Sequence, residues 1–182
     1  MRALIIFLLF PVLAAAQPVA VNPADVIGFA RVDMNEDGFD ERFVLVLDNE
    51  GGVDLFIFDE RAIDAPVYID NIMETTRYAP VMTALNPTDI EISMHSSDAY
   101  GSHDRSMLIE WDWENSAYIV IGLSIETEPR MADEPHFSCG IDFLVGDMRI
   151  VKGDEVEMWE ISVPPSPLLN PIPEASISMC YN

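Results

Sequence analysis

The sequence predicts an all-β protein of antiparallel sheets, arranged as a sandwich or as part of a propeller-like array, with little helix. Three observations predict it. About nine runs rich in β-branched and aromatic residues recur along the chain. Turn signals containing Gly, Asn or Asp separate them. Helical periodicity is weak, and in the one stretch that could hold a short helix, 71–85, Pro80 would interrupt it.

Taken in order, Val26–Val32 reads as a strand. Residues 43–47 form a continuous apolar run of the buried type, and 53–58 follow after a loop containing Gly51 and Gly52, which together make a hairpin. Residues 88–95 alternate. So do 106–113, with Met107, Ile109, Trp111 and Trp113 on one face and Glu110 and Asp112 on the other. A Glu114-Asn115-Ser116 turn leads into 117–125. Residues 141–145 and 148–151 read as a hairpin around Gly146-Asp147, and Lys152-Gly153-Asp154 turns into 155–163. From Pro164 the chain is Pro-rich, which predicts an extended tail over 164–182. No internal repeat or domain boundary interrupts 17–182, so a single β-rich domain is expected.

The first residues predict export. Met1-Arg2 gives a positive start, residues 3–16 run apolar, and Ala14 and Ala16 fill the small-residue positions ahead of Gln17. The run is shorter than the roughly 20 residues needed to span a bilayer. An uncleaved anchor is the alternative. Cleavage near Ala16 would release a 166-residue product carrying −24, since Arg2 leaves a chain of 182 residues and −23. The periplasm or the exterior is the expected location. Such acidity argues against nucleic acid and anionic membranes and for cations or a basic protein, although solubility alone accounts for it.

Cys139 and Cys180 are the only cysteines. An even count in an oxidising compartment predicts a bridge that ties the tail to the body. A redox pair or a metal thiolate site is less well supported, because no Cys-x-x-Cys is present.

One segment carries a mechanism. Residues 33–41 read DMNEDGFDE, with oxygen-bearing side chains at positions 1, 3, 5 and 9 and glycine at position 6. Calcium takes six to eight hard oxygen ligands, and a glycine lets the chain turn sharply around the ion. Position 12 is Val44, not the bidentate Glu of an EF-hand, and the flanks read as strands. A strand, this loop and a second strand instead resemble the calcium loop of integrin-α, FG-GAP and VCBS repeats, over about residues 26–59. The resemblance implies Ca²⁺ held by Asp33, Asn35, Asp37, the Phe39 carbonyl and Glu41, with Glu36 and Asp40 outside the shell. Glu41 stands where the family usually has Asp, and the chain carries one copy. The plain alternative is an acidic turn without metal.

Weaker candidates are a polar loop with His95, Asp98, His103 and Asp104, as zinc ligands or a general base, and the pair Trp111 and Trp113. With Tyr118 that pair could stack a sugar, although two tryptophans on one strand face more often fill a core. His136, three residues before Cys139, is only a hint of metal ligation. Gly-x-Ser-x-Gly and phosphate-binding glycine loops are absent from the sequence. The reading is a non-enzymatic, calcium-stabilised structural or interaction module. An exported hydrolase or carbohydrate-binding protein, or an acidic inhibitor of a cationic secreted enzyme, are the alternatives.

Overall fold

The computed structural model describes residues 21–48, 50–61, 66–74, 78–131, 134–168 and 180. Segment 1–16, expected to be a signal peptide, and most of the Pro-rich tail lie outside the described residues. What is described is almost entirely strand. A 3-10 turn, Pro23–Asp25, capped by the Asn22 side chain, opens it.

The first sheet is an antiparallel meander of β1 (Val26–Val32), β2 (Glu41–Leu47), β3 (Gly52–Asp59) and β4 (Val67–Glu74), in that spatial order. The second contains β5 (Val81–Ala84), β6 (Asp89–Ser97), β7 (Gly101–Asp112), β8 (Ala117–Pro129), β9 (Phe137–Asp142), β10 (Asp147–Lys152) and β11 (Glu155–Glu160), again each beside the next. A two-residue strand, β12 (Ser166–Pro167), pairs with β8. Neither sheet closes into a barrel.

Alternation sorts the side chains. On β2 the odd positions Glu41, Phe43 and Leu45 point into the core, while Arg42, Val44 and Val46 face outward and are half-buried. Ala30, Val32, Leu55 and Ile57 join them from β1 and β3. Ile90, Ile92, Met107, Ile109, Val120 and Ile141 meet them from the second sheet, giving one shared core. The β2–β3 turn is held by Asp48, whose Oδ1 accepts from Glu50 N and Gly52 N at 2.7 Å each. Gly51 supplies the left-handed φ of +93° that the turn needs.

Cys139 on β9 and Cys180 are both buried and joined by a disulfide. Most of the tail is not described, but its start is not merely extended. Ser166 and Pro167 pair with Val120 and Ile119, Leu168 N donates to Tyr118 O at 2.8 Å, and Leu168 is buried.

Three local expectations are corrected. Residues 71–85 hold no helix where described; β4 and β5 lie on either side of a buried Pro80. The 141–151 hairpin turns at 143–146, not at Gly146-Asp147, because Asp142 Oδ1 accepts from Leu144 N and Val145 N at 2.9 Å each. That Asx turn ends β9 early and frees Leu144 and Val145 to water. The last hairpin strand stops at Glu160, and β11 is exposed along its whole length as the outer edge of its sheet.

Candidate metal loop and the cleft beside it

The 33–41 loop joins β1 to β2, two neighbouring antiparallel strands. Its second residue anchors it, since Met34 is wholly buried among core residues. The rest is shaped by its own oxygens. Asp33 Oδ1 accepts from Asp37 N at 3.0 Å and Oδ2 from Gly38 N at 2.9 Å. Asn35 Oδ1 accepts from Asp37 N at 3.1 Å, and Asp37 Oδ1 from Phe39 N at 3.0 Å. Glu36 and Gly38 take left-handed φ of 49° and 90°, which turns the loop sharply where glycine was expected to do so. A carboxylate or amide oxygen has two lone pairs, so one N–H bond leaves it able to bind further.

Glu41 is the unusual member. As the first odd position of β2 it points inward with Phe43 and Leu45, and it is 1 % exposed. Its Oε2 accepts from Met34 N at 2.8 Å, which aims the carboxylate into the loop. Its buried Oε1 lacks a hydrogen bond of good geometry, and the Tyr118 phenol is a donor that reaches toward the carboxylate. An unsatisfied buried charged oxygen is costly. Burial, above all, raises the Glu41 pKa above 4.5, and the Asp37 and Asp33 charges add to this, against two backbone hydrogen bonds that lower it. Burial, then the Glu41 and Asp59 charges, then the hydrogen bond of its hydroxyl toward the Glu41 carboxylate push the Tyr118 phenol upward.

The outer side of the loop is guarded by cations. Arg31 pairs with Asp40 and, at 3.0 Å, with Glu60; Arg42 meets Glu60 at 3.0 Å. Asp40 is thus tied away from the loop interior, and Glu36 is exposed. Arg61 forks onto Asp59, with Nη2 2.9 Å from Oδ2 and Nε 3.2 Å from Oδ1, and also pairs with Asp37. Its guanidinium carbon lies 5.4 Å from the centre of the Phe39 ring. Those bonds to Arg61 lower the Asp59 pKa and raise that of Arg61. Sequence reasoning missed both residues, although the β2–β3 register sets Asp59 directly opposite Glu41.

The Asp33, Asp37 and Glu41 carboxylates do not draw within 4.8 Å of one another as a set. Among the described residues the group that does is Glu126, Glu128 and His136, two side chains on one face of β8 and the residue ahead of β9. The glutamates are exposed and His136 is half-buried. With no buried unpartnered atom aimed at them, they resemble an ordinary solvated patch.

The expected polar loop around His95 does not exist. His95 and Asp104 lie opposite each other on β6 and β7, with Nδ1 2.7 Å from Oδ1, and Tyr78 packs edgewise on the imidazole at 5.3 Å. His103 lies opposite Ser96 and therefore points to the other face of the sheet, where its ring meets Thr127 at 3.2 Å and Asp98 at 3.5 Å. Strand alternation thus divides the four residues between two faces.

The tryptophans also depart from the core reading. Met107 and Ile109 are buried and Trp111 is half-buried, but Trp113 is 60 % exposed, because β7 ends at Asp112 and Trp113 begins the turn beyond it. That turn is fixed by Asp112, which accepts from Glu114 N, Asn115 N and Asn115 Nδ2 at 2.9, 3.3 and 2.6 Å. Tyr118 meets Trp111 edge-on at 4.8 Å and Phe43 at 5.7 Å. Trp111, Trp113 and Tyr118 line a cleft of about 520 Å³ between the ends of the two sheets, whose other side is made by Asn35, Asp37, Ile57, Asp59 and Arg61.

Compared with models of known protein families, with curated proteins and with solved structures, the chain matches none.

Proposed function

We propose that this is an exported, non-enzymatic interaction or structural module whose 33–41 loop is clamped by calcium. One observation carries the metal reading: the Glu41 carboxylate, buried and aimed into the loop, keeps one oxygen without a well-formed hydrogen bond, beside the Tyr118 phenol. A divalent cation would satisfy such an oxygen more fully than a phenol can, and Asp33, Asn35 and Asp37 offer further hard donors within the same turn. The placement of the loop between adjacent antiparallel strands supports its resemblance to FG-GAP and VCBS calcium loops. Because the carboxylates are spread apart, binding requires Asp37 to leave Arg61 and the loop to contract. The bound ion would neutralise the acidic turn and staple β1 to β2. A buried disulfide and an acidic, basic-poor surface suit an extracytoplasmic setting.

Calcium-dependent melting is the test. At ~1 mM calcium and a Kd of ~10⁻⁴ M, linkage stabilises the fold by roughly 1.4 kcal/mol, a rise of several degrees in Tm. Asp37→Ala is expected to abolish that rise. Asp40→Ala, which breaks only the outward pair with Arg31, is expected to leave most of it. Magnesium at equal concentration should do much less. A Tm indifferent to calcium and chelator, or equal effects of the two substitutions, would leave only an acidic turn.

A further inference from the structure

The cleft between the sheets has a composition that selects a ligand class. Its second-sheet side is aromatic, with the exposed Trp113 ring held by the Asp112 turn and Trp111 braced by Tyr118. Its first-sheet side is polar and of mixed sign. Asp37 and Asp59 are acceptors, the Asn35 amide both donates and accepts, and Arg61 donates from between the two acids. An anion entering here meets two carboxylates. A cation meets the guanidinium that already bridges both acids.

A ligand fitting both sides is uncharged, carries hydroxyls that give and take hydrogen bonds, and has an apolar face for an indole. Sugar rings combine these features, since axial C–H groups form a flat apolar face and the hydroxyls radiate from the rim. The volume, about 520 Å³, lies within the usual range for small-ligand sites and holds one or two such rings.

We infer that this cleft binds a neutral saccharide, stacked on Trp113 and hydrogen-bonded to Arg61 and Asp59. The inference rests on the interaction-module part of that reading and holds with or without the ion, because Arg61 is forked onto Asp59 independently of Asp37. No bond is made or broken, so the site is one of recognition.

The test follows tryptophan emission of the intact mature protein during titration with cellohexaose, xylohexaose, mannohexaose and maltohexaose. Oligogalacturonate and tetramethylammonium serve as charged comparators. A saturable change with at least one neutral oligosaccharide, at a Kd of about 1 mM or tighter, is expected. Trp113→Ala should weaken it at least about tenfold, with Trp113→Phe intermediate. Trp159→Ala, on the distant β11 edge, should bind as the wild type does. No saturable change with any neutral sugar, undiminished binding by Trp113→Ala, or saturation by a charged comparator alone would overturn the inference. Melting temperature reads calcium separately. Saccharide binding in a protein whose Tm ignores calcium would therefore sustain the cleft and remove the metal, and a calcium response without sugar binding would do the reverse.

Discussion

Opening the Cys139–Cys180 bridge is expected to lower stability by about 4 kcal/mol, the chain-entropy value for a closed loop of about 40 residues. The two cysteines are 41 residues apart, so the bridge constrains the unfolded chain across β9, β10, β11 and the start of the tail. For a domain of this size the loss corresponds to roughly 8–16 °C in Tm. Both sulfurs are buried, so the clean variant is Cys139→Ala with Cys180→Ala, which leaves no hydroxyl in the core. Reduction of the wild type should match that double variant. Limited proteolysis should then cut beyond Leu168 first, where the tail loses its covalent anchor. Thiol titration of the unfolded, unreduced protein settles the premise, because two reactive thiols per chain would mean that no bridge forms.

Glu41→Gln is expected to change sign with calcium. In chelator at neutral pH it removes a buried charge while the amide oxygen can keep the bond from Met34 N, so stability should rise by about 1 kcal/mol. In calcium the same change deletes a ligand, and the calcium-dependent gain of roughly 1.4 kcal/mol should vanish. The pH dependence follows the same logic. The folded-state pKa of Glu41 is raised, so its ionisation destabilises the calcium-free fold at pH values above the ordinary 4.5, fully so above the folded pKa. As pH falls from 7 toward 4.5 that penalty is relieved, and wild type should close the gap to Glu41→Gln. A constant difference between the two proteins across this range, or a Gln variant that still responds to calcium, would refute the assignment of Glu41.

How much of this was legible in the sequence differs by level. Strand positions were readable because the apolar residues alternate or cluster in short runs; β1 matches its expected bounds at both ends. Countable in the sequence, but missed, was one register at the site. Pairing Leu47 with Val53 across the Gly51-Gly52 turn places Glu41 opposite Asp59 by counting alone. What could not be read was which side chains the second sheet would cover. Trp113 continues the alternation of Met107, Ile109 and Trp111, yet it lies past the end of β7 and in water. The histidines failed for a related reason. Residues close in a polar stretch look like a cluster until strand pairing places His95 and His103 on opposite faces. Where Asp142 captures two backbone amides, a side chain set the turn and overrode the apolar run through Val145.

The exposed edge at β11 shows a further use for the acidity of this chain. Val156, Met158 and Trp159 lie in water along a strand that, among the described residues, has a neighbour on one side only, which is the template for uncontrolled zipping between copies. Two copies meeting antiparallel with their centre between Glu157 and Met158 would set Glu155 against Glu160. Centring on Glu157 would set Glu157 against itself and Asp154 against Glu160. Either alignment places like charges face to face. In those two registers the glutamates of β11 would oppose self-assembly, an effect that loosens in strong salt and that light scattering at low and high ionic strength would detect.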